Sequence, residues 1–312
     1  MSTAFRFLLR AREKLYSSGI LSTLRLNHPV VSVGNLTLGG TGKTPLVIAL
    51  AEGFRDRGFR PVILSRGYGR TTRGVVVAGF DWEECGDEPL LMKRRLGNVP
   101  VVVGTDRYRA GLFAEEQQLG DIFILDDGFQ HRRLHRDVDV VTVDPVEWAA
   151  GELLLPAGPW REPKSAIERA HVACIQEVAG TPAPSLPIPS VTVRTGIEGI
   201  YTGLYDEDAP APLETLRGRA VVAFAGISKP ERFFGALESL GIHPVKCIRF
   251  RDHHHYSPRD IEKLGGEALI TTEKDAVRLE RVAGRPYSYL RISAKIPDFE
   301  RLMSLILAGI NE

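Results

Sequence analysis

The sequence predicts an α/β fold with two domains, each a mostly parallel sheet covered by helices. Short β-branched runs such as "HPVVSV", "RPVILS" and "DIFILDD" alternate with helical patterns such as "PLVIALAEGFRDRG", and this alternation is typical of βαβ units. The chain has 312 residues, which is more than one hydrophobic core usually serves. A proline-rich stretch, "AGTPAPSLPIPS", interrupts the alternation, and a second α/β pattern follows it.

The interruption divides the chain into a larger and a smaller domain. We place the N-terminal domain at residues 1–188 and the C-terminal α/β domain at residues 213–312. Between them, residues 189–212 carry "SVTVRTGIEGIYTGLY", in which polar and apolar residues alternate around two glycines. Such alternation is typical of strands, and we predict a linker hairpin there.

Composition and charge exclude several classes of function. With 43% hydrophobic and 25% charged residues the chain is typical of a soluble globular protein, and a net charge of +1 argues against a general nucleic-acid binder. The three cysteines lie far apart and form no C-x-x-C pair, which argues against a disulfide framework or a zinc ribbon. No apolar run approaches the roughly 20 residues that a membrane span needs.

The first 20 residues form an amphipathic pattern at helical period. One arc is apolar, and the other carries a surplus of positive charge. A basic amphipathic helix can lie on an anionic membrane surface, but it can equally pack on its own domain, and periodicity alone slightly favours packing. The apolar arc is Ala4, Phe5, Phe7, Leu8, Ala11 and Leu15, and the polar arc is Arg6, Arg10, Glu13 and Lys14, with Arg12 at the seam.

A phosphate-binding loop is predicted between the first strand and the next helix, in "VVSVGNLTLGGTGKTPLVIAL". Backbone N–H groups and a helix N-terminus stabilise phosphates; a lysine can reach the β and γ phosphates, and a following hydroxyl can bind Mg²⁺. Thr37 stands where the Walker A pattern has its first glycine, and Pro45 is expected to open the helix. The predicted nucleotide-binding residues are Thr37, Leu38, Gly39, Gly40, Thr41, Gly42, Lys43 and Thr44.

A second element supports nucleotide chemistry. The strand in "DIFILDDGFQH" ends in Asp126 and Asp127, as in a Walker B motif, where a carboxylate approaches the metal; the alternative is an Asp turn before a glycine. We assign Thr44 and Asp126 to Mg²⁺ and Asp127 to organising the γ-phosphate, although the sequence does not decide which aspartate touches the ion. Together, the two motifs predict a P-loop kinase-like domain.

Two differences from known signatures of nucleotide-binding proteins indicate the class of P-loop protein. Leu38 stands where partition-type ATPases carry their signature lysine, which argues against a dimerising ATPase switch. Guanine recognition needs N-K-x-D, and the sequence "TEKD" places lysine elsewhere. ATP is therefore the predicted nucleotide.

In order along the chain, the motifs resemble one family, the tetraacyldisaccharide 4'-kinases of lipid A biosynthesis. The resemblance covers essentially the whole sequence. It implies two α/β/α domains, a two-stranded linker, an active site in the cleft between them, and transfer of the γ-phosphate of ATP to the 4'-hydroxyl of a tetraacyldisaccharide 1-phosphate. The motifs are "GNLTLGGTGKTP", "LSRGYGR", "GDEP", "GTDR", "LDDGFQH", "LLPAGPWREP", "RDHHHYS" and "TTEKDAVRL".

The resemblance also implies the catalytic residues. A sugar hydroxyl is a poor nucleophile and benefits from a group that takes its proton. Asp87 matches the family's proposed catalytic aspartate and His253 the histidine that pairs with it, with Lys43 and Asp127 completing the catalytic set; His254 is the alternative to His253. Spacing alone does not distinguish Asp87 from its acidic neighbours, and a helix cap is the other interpretation of Asp87.

Four further residues are predicted at the substrate. Arginine suits phosphate because its planar group gives two parallel donors and keeps its charge. The family motifs place Arg66, Arg107 and Arg161 at the cleft. Glu162 either orients substrate or nucleotide or pairs with Arg161, and the sequence leaves these alternatives open.

The implied substrate changes the interpretation of the N-terminal helix. An acylated disaccharide stays in the bilayer, so the enzyme must reach a membrane surface, and we predict docking of residues 1–20 on anionic lipid at the cytoplasmic face of the bacterial inner membrane. Neither nucleic acid nor an obligate protein partner is expected. The alternative function is a P-loop ATPase that drives a conformational or partner-binding cycle without a small-molecule acceptor.

Overall fold

The computed structural model describes residues 2–79, 81–202 and 211–311. Within these ranges the chain forms twelve strands, most of them fully buried β-branched runs. They are β1 (Val30–Asn35), β2 (Pro61–Ser65), β3 (Val76–Val77), β4 (Val101–Val103), β5 (Ile122–Asp126), β6 (Val138–Val143), β7 (Val172–Gln176), β8 (Ser190–Thr202), β9 (Val221–Ala225), β10 (Lys246–Arg249), β11 (Ala268–Thr272) and β12 (Ser288–Lys295).

Helices connect most of the strands and cover both faces of the sheet. The α-helices are α1 (Ser2–Ser17), α2 (Lys43–Asp56), α3 (Trp82–Cys85), α4 (Asp87–Leu96), α5 (Arg107–Glu116), α6 (Pro145–Ala149), α7 (Pro230–Ser239), α8 (Pro258–Leu264), α9 (Glu273–Leu279) and α10 (Phe299–Ile310), and two 3-10 helices are Lys164–Arg169 and Leu213–Thr215.

All twelve strands belong to one continuous sheet, in the order β10-β9-β11-β12-β8-β7-β6-β1-β5-β2-β4-β3. Neighbours run parallel except at two places, where β3 is antiparallel to β4 and β12 is antiparallel to β8. Parallel strands covered on both faces read as continuous apolar runs, which is why the sequence pattern revealed them. The predicted α/β fold is confirmed.

The long strand β8 joins the two halves of the sheet. It pairs in parallel with β7 of the first half, and antiparallel with β12 of the second half from Thr202 to Arg194. The two-stranded connection is therefore built from β8 and β12.

The predicted linker hairpin at residues 189–212 stays a prediction. Residues 190–202 form a single strand, and a lone bridge between Ile200 and Ala211 is the contact described within that stretch; residues 203–210 lie outside the described residues. The alternating pattern was correctly read as strand, but it contains no information about which distant segment supplies the partner.

The closing helix α10 departs from the predicted domain plan. It was placed in the C-terminal domain, yet Leu302, Met303 and Ile306 are buried in the core of the first half together with α2, α4 and β6. Phe299 lies so close to Gly53 of α2 that a Cβ there would come within 2.5 Å of the ring. The chain thus returns to its first half after β12, and the boundary at residue 213 stays a prediction for the segment before α10.

The N-terminal helix is docked on one side and exposed on the other. Phe5 and Leu9 pack against the core around Trp160, whereas Phe7 and Leu8 are 71% and 63% exposed. The apolar arc predicted from the sequence is therefore divided between two environments. Phe5 and Leu9, four positions apart, face the protein core, whereas Phe7 and Leu8 face solvent. In the described part of the chain, none of the helices has the length and apolar character that spanning a bilayer requires.

Parallel topology brings the carboxyl ends of the strands to common edges. In the first half, β1, β2, β5 and β6 end at the phosphate loop, Ser65, Asp126 and Asp144. In the second half, β9, β10 and β11 lead into the segments that contain Ser228, His253 and Lys274. Ligands of α/β folds bind at such edges, so both halves contribute loops to one region.

The position of α10 generates a stability prediction. Leu302→Ala removes a fully buried side chain, and we expect it to lower the free energy of unfolding by about 2–5 kcal/mol, whereas Arg301→Ala, on the exposed side of α10, changes it little. In hydrogen exchange, the loss of protection should fall on β6 and β7, which α10 contacts. Loss confined to β9 and β11 would contradict the placement of α10 on the first core.

Candidate active site

The phosphate loop lies between the end of β1 and the start of α2. Helix α2 begins at Lys43, two residues before Pro45, which sits in the first turn where its missing N–H is not needed. Gly39 and Gly42 have φ values of 111° and 80°, a region that glycine alone adopts without strain. The sequence "GGTGK" therefore forms a turn that requires glycine at these two positions.

Side chains on either side of the loop fix its shape. The hydroxyl of Thr37 donates to Glu147 at 2.5 Å, and the hydroxyls of Thr41 and Thr142 lie 2.7 Å apart. Thr37 is buried, which explains a side chain where the Walker pattern has glycine, while Leu38 is 44% exposed.

Lys43 and Asp127 are brought together at the mouth of the loop. The Lys43 Nζ lies 3.1 Å from the Asn35 side-chain oxygen and 3.3 Å from the Asp127 carboxylate. Arg161 donates to both Asp127 oxygens at 2.9 Å. Burial opposes the charge of Asp127, but Lys43 and Arg161 outweigh it and lower the pKa of the carboxyl. Three predicted site residues thus form one ion cluster.

Asp126 occupies a different environment from Asp127. It is buried at the end of β5 and accepts a hydrogen bond from Ser65 at 2.8 Å. Burial, with the carboxylates of Glu88 and Asp127 nearby, raises the pKa of Asp126 to about 7. A buried carboxyl among other carboxyls is a suitable ligand for a divalent cation, because the cation's charge offsets this repulsion.

The predicted metal ligands fit magnesium by this criterion. Thr44 is the second residue of α2, and Asp126 supplies a hard oxygen at the adjacent strand end. Hydroxyl and carboxylate oxygens are the donors that Mg²⁺ takes in phosphate sites, with phosphates and water completing its shell. Thr44 and Asp126 are therefore the residues that would hold it.

Arg107 and Arg66 lie on the same edge. Arg107 is buried at the start of α5, where its Nη1 donates to the Thr105 carbonyl at 2.9 Å and its buried Nε meets no protein acceptor. Burial lowers the pKa of Arg107, and the neighbouring Arg66 lowers it further, while Asp126 and Asp127 act in the opposite sense. A buried guanidinium with an unsatisfied donor beside an exposed arginine is suited to an anionic ligand.

Asp87 and His253 meet across the two halves of the molecule. Asp87 begins α4 in the first half, and His253 follows β10 in the second; the ring Nδ1 lies 2.9 Å from the Asp87 carboxylate. Burial opposes ionisation of Asp87, but His253, Lys274 and Arg278 outweigh it and lower the pKa of the carboxyl. Asp87 therefore stays an anion with a histidine beside it, and its second oxygen accepts from the Glu88 N–H at 2.8 Å.

The three consecutive histidines point to different neighbours. His253 has a φ of 55°, a turn that directs its ring to Asp87, where the Tyr68 ring lies 4.8 Å away. The ring of His254 stacks on Phe250, and that of His255 meets Trp82 edge-on. Of the two candidates that the sequence left open, His253 is the one that contacts Asp87.

A segment of the second half lies directly over the phosphate loop. The Gly40 N–H donates to the Ser228 hydroxyl at 2.7 Å. Lys229 contacts Asp144 at 2.6 Å and Glu147 at 2.5 Å, and Arg232 contacts Asp144 at 2.5 Å. The cleft that the loop faces is thus bridged by hydrogen-bonded and charged contacts.

Glu162 does not pair with Arg161, which was one of its two predicted roles. Glu162 is buried and pairs with Arg169 at 2.5 Å, whereas Arg161 contacts Asp127 and Gln130. The consecutive residues Arg161 and Glu162 therefore belong to separate ionic clusters. A role for Glu162 at substrate stays a prediction.

Sequence reasoning missed several residues at the site. Lys274 and Arg278 of α9 approach Asp87 and His253, and Ser228 reaches the phosphate loop. The motif "TTEKDAVRL" contains Lys274 and Arg278 and could have indicated both. Its lysine argued against guanine recognition, and the sequence indicated no catalytic role for it. Ser228 had no signal, because its contact depends on how the halves are arranged.

The site combines the groups that phosphoryl transfer requires. Loop amides, a lysine and arginines are the groups that stabilise phosphate charge. Carboxylates at a strand end suit a metal, and an ionised carboxylate paired with histidine can take a proton. These elements lie along facing edges of the two halves.

Comparison with known proteins agrees with this geometry. A family model described as "Tetraacyldisaccharide-1-P 4'-kinase" matches residues 1–311. The chain is 39% identical to a tetraacyldisaccharide 4'-kinase of Geobacter metallireducens, over 91% of this chain and 88% of that protein, and 41% identical to one of an Azoarcus species, over 89% and 81%.

A solved structure extends the similarity to the fold. It is "apo" form LpxK from Aquifex aeolicus in complex with ATP, which is 35% identical, has a TM-score of 0.83, and is aligned over 99% of this chain and 97% of its own. The resemblance seen in the sequence motifs is confirmed, and this chain belongs to the tetraacyldisaccharide-1-P 4'-kinase family.

Proposed function

We propose that this chain transfers the γ-phosphate of ATP to the 4'-hydroxyl of a tetraacyldisaccharide 1-phosphate at a membrane surface. The observation that carries the proposal is that the second half contacts the first at two functional points, with Ser228 at the phosphate loop and His253 at Asp87. Family membership supplies the acceptor, and the ATP complex of a relative supports the donor.

The roles follow from the local chemistry. The loop amides and Lys43 bind the terminal phosphates, and Asp127 with Arg161 positions Lys43. Arg66 and Arg107 stabilise negative charge on the transferred group or the substrate phosphate. Asp87 accepts the proton of the sugar hydroxyl as the new P–O bond forms. Thr44 and Asp126 would hold Mg²⁺, which would neutralise charge at the phosphates.

The alternative of an ATPase without an acceptor explains less of the site. Such a protein needs the loop and the carboxylates, but not a buried aspartate paired with a histidine on the other half. The Asp87–His253 contact favours a kinase because a hydroxyl acceptor, unlike a conformational cycle, requires a positioned base.

The N-terminal helix supports docking to a membrane. Its outer side exposes Phe7 and Leu8, and the turn that follows exposes Ile20, at 71%, 63% and 72%, close to exposed Arg10 and Lys14. Apolar side chains with flanking cations are typical of helices that lie in the headgroup region of anionic membranes. Two other arginines of α1, Arg6 and Arg12, contact Glu152 and the Gln130 carbonyl of the same chain. We place the enzyme at the cytoplasmic face of the inner membrane.

Asp87 provides the direct test of the kinase proposal. With γ-labelled ATP, Mg²⁺ and tetraacyldisaccharide 1-phosphate, the wild type should place the label on the lipid at the 4' position. Asp87→Asn should reduce kcat by roughly 10²–10⁴-fold while ATP affinity is kept, and Asp56→Asn, at the exposed end of α2, serves as the control. ATP hydrolysis without labelled lipid would exclude the kinase function.

Two glycines with similar backbone angles test the phosphate loop. Gly42 and Gly58 have φ values of 80° and 85°, but a Cβ at Gly42 would lie 2.7 Å from the Gln176 amide, whereas a Cβ at Gly58 would meet nothing within 4 Å. Both alanine variants should lose roughly 1–2 kcal/mol of folding stability. Calorimetric titration should show more than about tenfold weaker Mg-ATP binding for Gly42→Ala alone; equal affinities would place the nucleotide elsewhere.

The exposed side of α1 yields a test of membrane docking. Phe7→Ser with Leu8→Ser removes apolar contacts worth roughly 1.5–3 kcal/mol each when fully buried, so cosedimentation with anionic vesicles should fall by about tenfold or more. Val245→Ser, which changes a 68% exposed residue of the second half, should bind vesicles as the wild type does. Unchanged binding of the double variant would leave α1 a purely structural helix.

A further inference from the structure

Lys274 contacts Nε2 of His253, the ring nitrogen that faces away from Asp87. It is the second residue of α9, and its Nζ lies 3.3 Å from His253 Nε2, while His253 Nδ1 lies 2.9 Å from the Asp87 carboxylate. The three side chains therefore form a row in which the imidazole is enclosed by a carboxylate on one side and an ammonium on the other.

The chemistry of lysine restricts the state of the histidine. A charged ammonium has three donors and no acceptor, so it makes a hydrogen bond to Nε2 only if Nε2 carries a lone pair. The one ring proton of neutral imidazole is then on Nδ1, where it is donated to Asp87. An imidazolium would direct an N–H at the ammonium, which costs both a hydrogen bond and charge repulsion.

We propose that Lys274 is a positioning residue that fixes the proton of His253 on Nδ1 and donates a hydrogen bond to Nε2. Because Nε2 is then occupied, Asp87 alone receives the proton of the sugar hydroxyl. This inference rests on the proposed kinase function. In the transfer step the hydroxyl O–H bond breaks and its proton passes to the Asp87 carboxylate. The hydroxyl oxygen forms the bond to the γ-phosphorus, and ADP leaves with the electrons of the broken P–O bond.

The surroundings keep Lys274 charged. Its Nζ contacts Glu88 of α4 at 3.1 Å and Asp252 at 3.8 Å, and its side chain is 20% exposed. Burial opposes the charge of Lys274, but Glu88, Asp87 and Asp252 outweigh it and raise the pKa of the amine. The Lys274 ammonium is thus charged and available as a hydrogen-bond donor at neutral pH.

A second cation of the same helix holds Asp87 from another side. Arg278 Nε lies 3.5 Å from Asp87 Oδ2, and its Nη2 donates to Asp275 at 2.7 Å and to the Gly226 carbonyl at 3.0 Å. Arg278 is therefore fixed by its own half, whereas the Lys274 ammonium contacts the imidazole directly. The tautomer is thus assigned to Lys274 and the anionic state of Asp87 to both cations.

Histidine NMR tests the assignment without any turnover. The protein has eight histidines, and the signals of His253 are identified by their loss in His253→Gln. In the wild type at neutral pH, ring ¹⁵N and ¹³Cδ2 shifts should report a proton on Nδ1 and a bare Nε2. A proton on Nε2, or on both nitrogens, would overturn the proposal.

Variants of Lys274 separate positioning from a structural ion pair. Lys274→Met should move His253 toward the Nε2–H or doubly protonated form and lower kcat by about tenfold or more at unchanged KM for ATP. Lys274→Arg retains a donor and should recover the Nδ1–H signals and part of the activity; Lys263→Met, on the exposed side of α8, should change neither. A Lys274→Met protein with wild-type His253 signals would contradict the proposal.

Failure of this inference is distinguishable from failure of the proposed function. If the wild type hydrolyses ATP but places no label on the lipid, the proposed function fails, whereas the His253 signals still test the tautomer assignment because they need no turnover. If Asp87→Asn still phosphorylates the lipid, Asp87 is not the proton acceptor, and the part of the inference that directs the proton to Asp87 is overturned. If Asp87→Asn is inactive but the His253 signals do not respond to Lys274→Met, the role of Lys274 alone is overturned.

Discussion

The hydrogen bond between the Asp87 carboxylate and His253 is the contact on which the site depends, because its two members come from opposite halves of the molecule. Asp87 is buried but ionised, because His253, Lys274 and Arg278 lower the pKa of its carboxyl. Buried ion pairs contribute little net stability, since desolvation cancels much of their attraction. The buried ion pairs of Asp87 are better explained by geometry, because they hold the Asp87 carboxylate at a defined position relative to the phosphate loop.

The sheet makes that contact possible. Strand β8 belongs to both halves, in parallel with β7 and antiparallel to β12, so the two sets of parallel strands are joined through hydrogen-bonded backbone rather than a loose linker. The return of α10 to the first core adds a second connection. A shared strand and a returning helix together restrict how far the facing edges can separate.

A second set of contacts across the cleft bears on nucleotide binding. The Gly40 amide donates to Ser228, and Lys229 and Arg232 contact Asp144. A phosphate that uses the Gly40 amide must displace the Ser228 hydroxyl, so occupancy of the loop and the arrangement of the halves are linked.

The sequence predicted local features well and long-range partners poorly. The loop around Lys43, the carboxylates at the end of β5 and the α/β pattern are local signals, and each is present in the structure. The partner of β8, the core that α10 joins and the approach of Lys274 to His253 are contacts between segments that are separated in sequence. Local periodicity contains no information about such pairs, and only family motifs pointed to Asp87 and His253.

A double-mutant cycle on kcat measures the central contact most directly. The account predicts that Asp87→Ala and His253→Ala are strongly non-additive, with the double variant little slower than Asp87→Ala, because His253 acts only through the carboxylate. Independent losses that multiply in the double variant would show that the two residues act separately and would contradict the account.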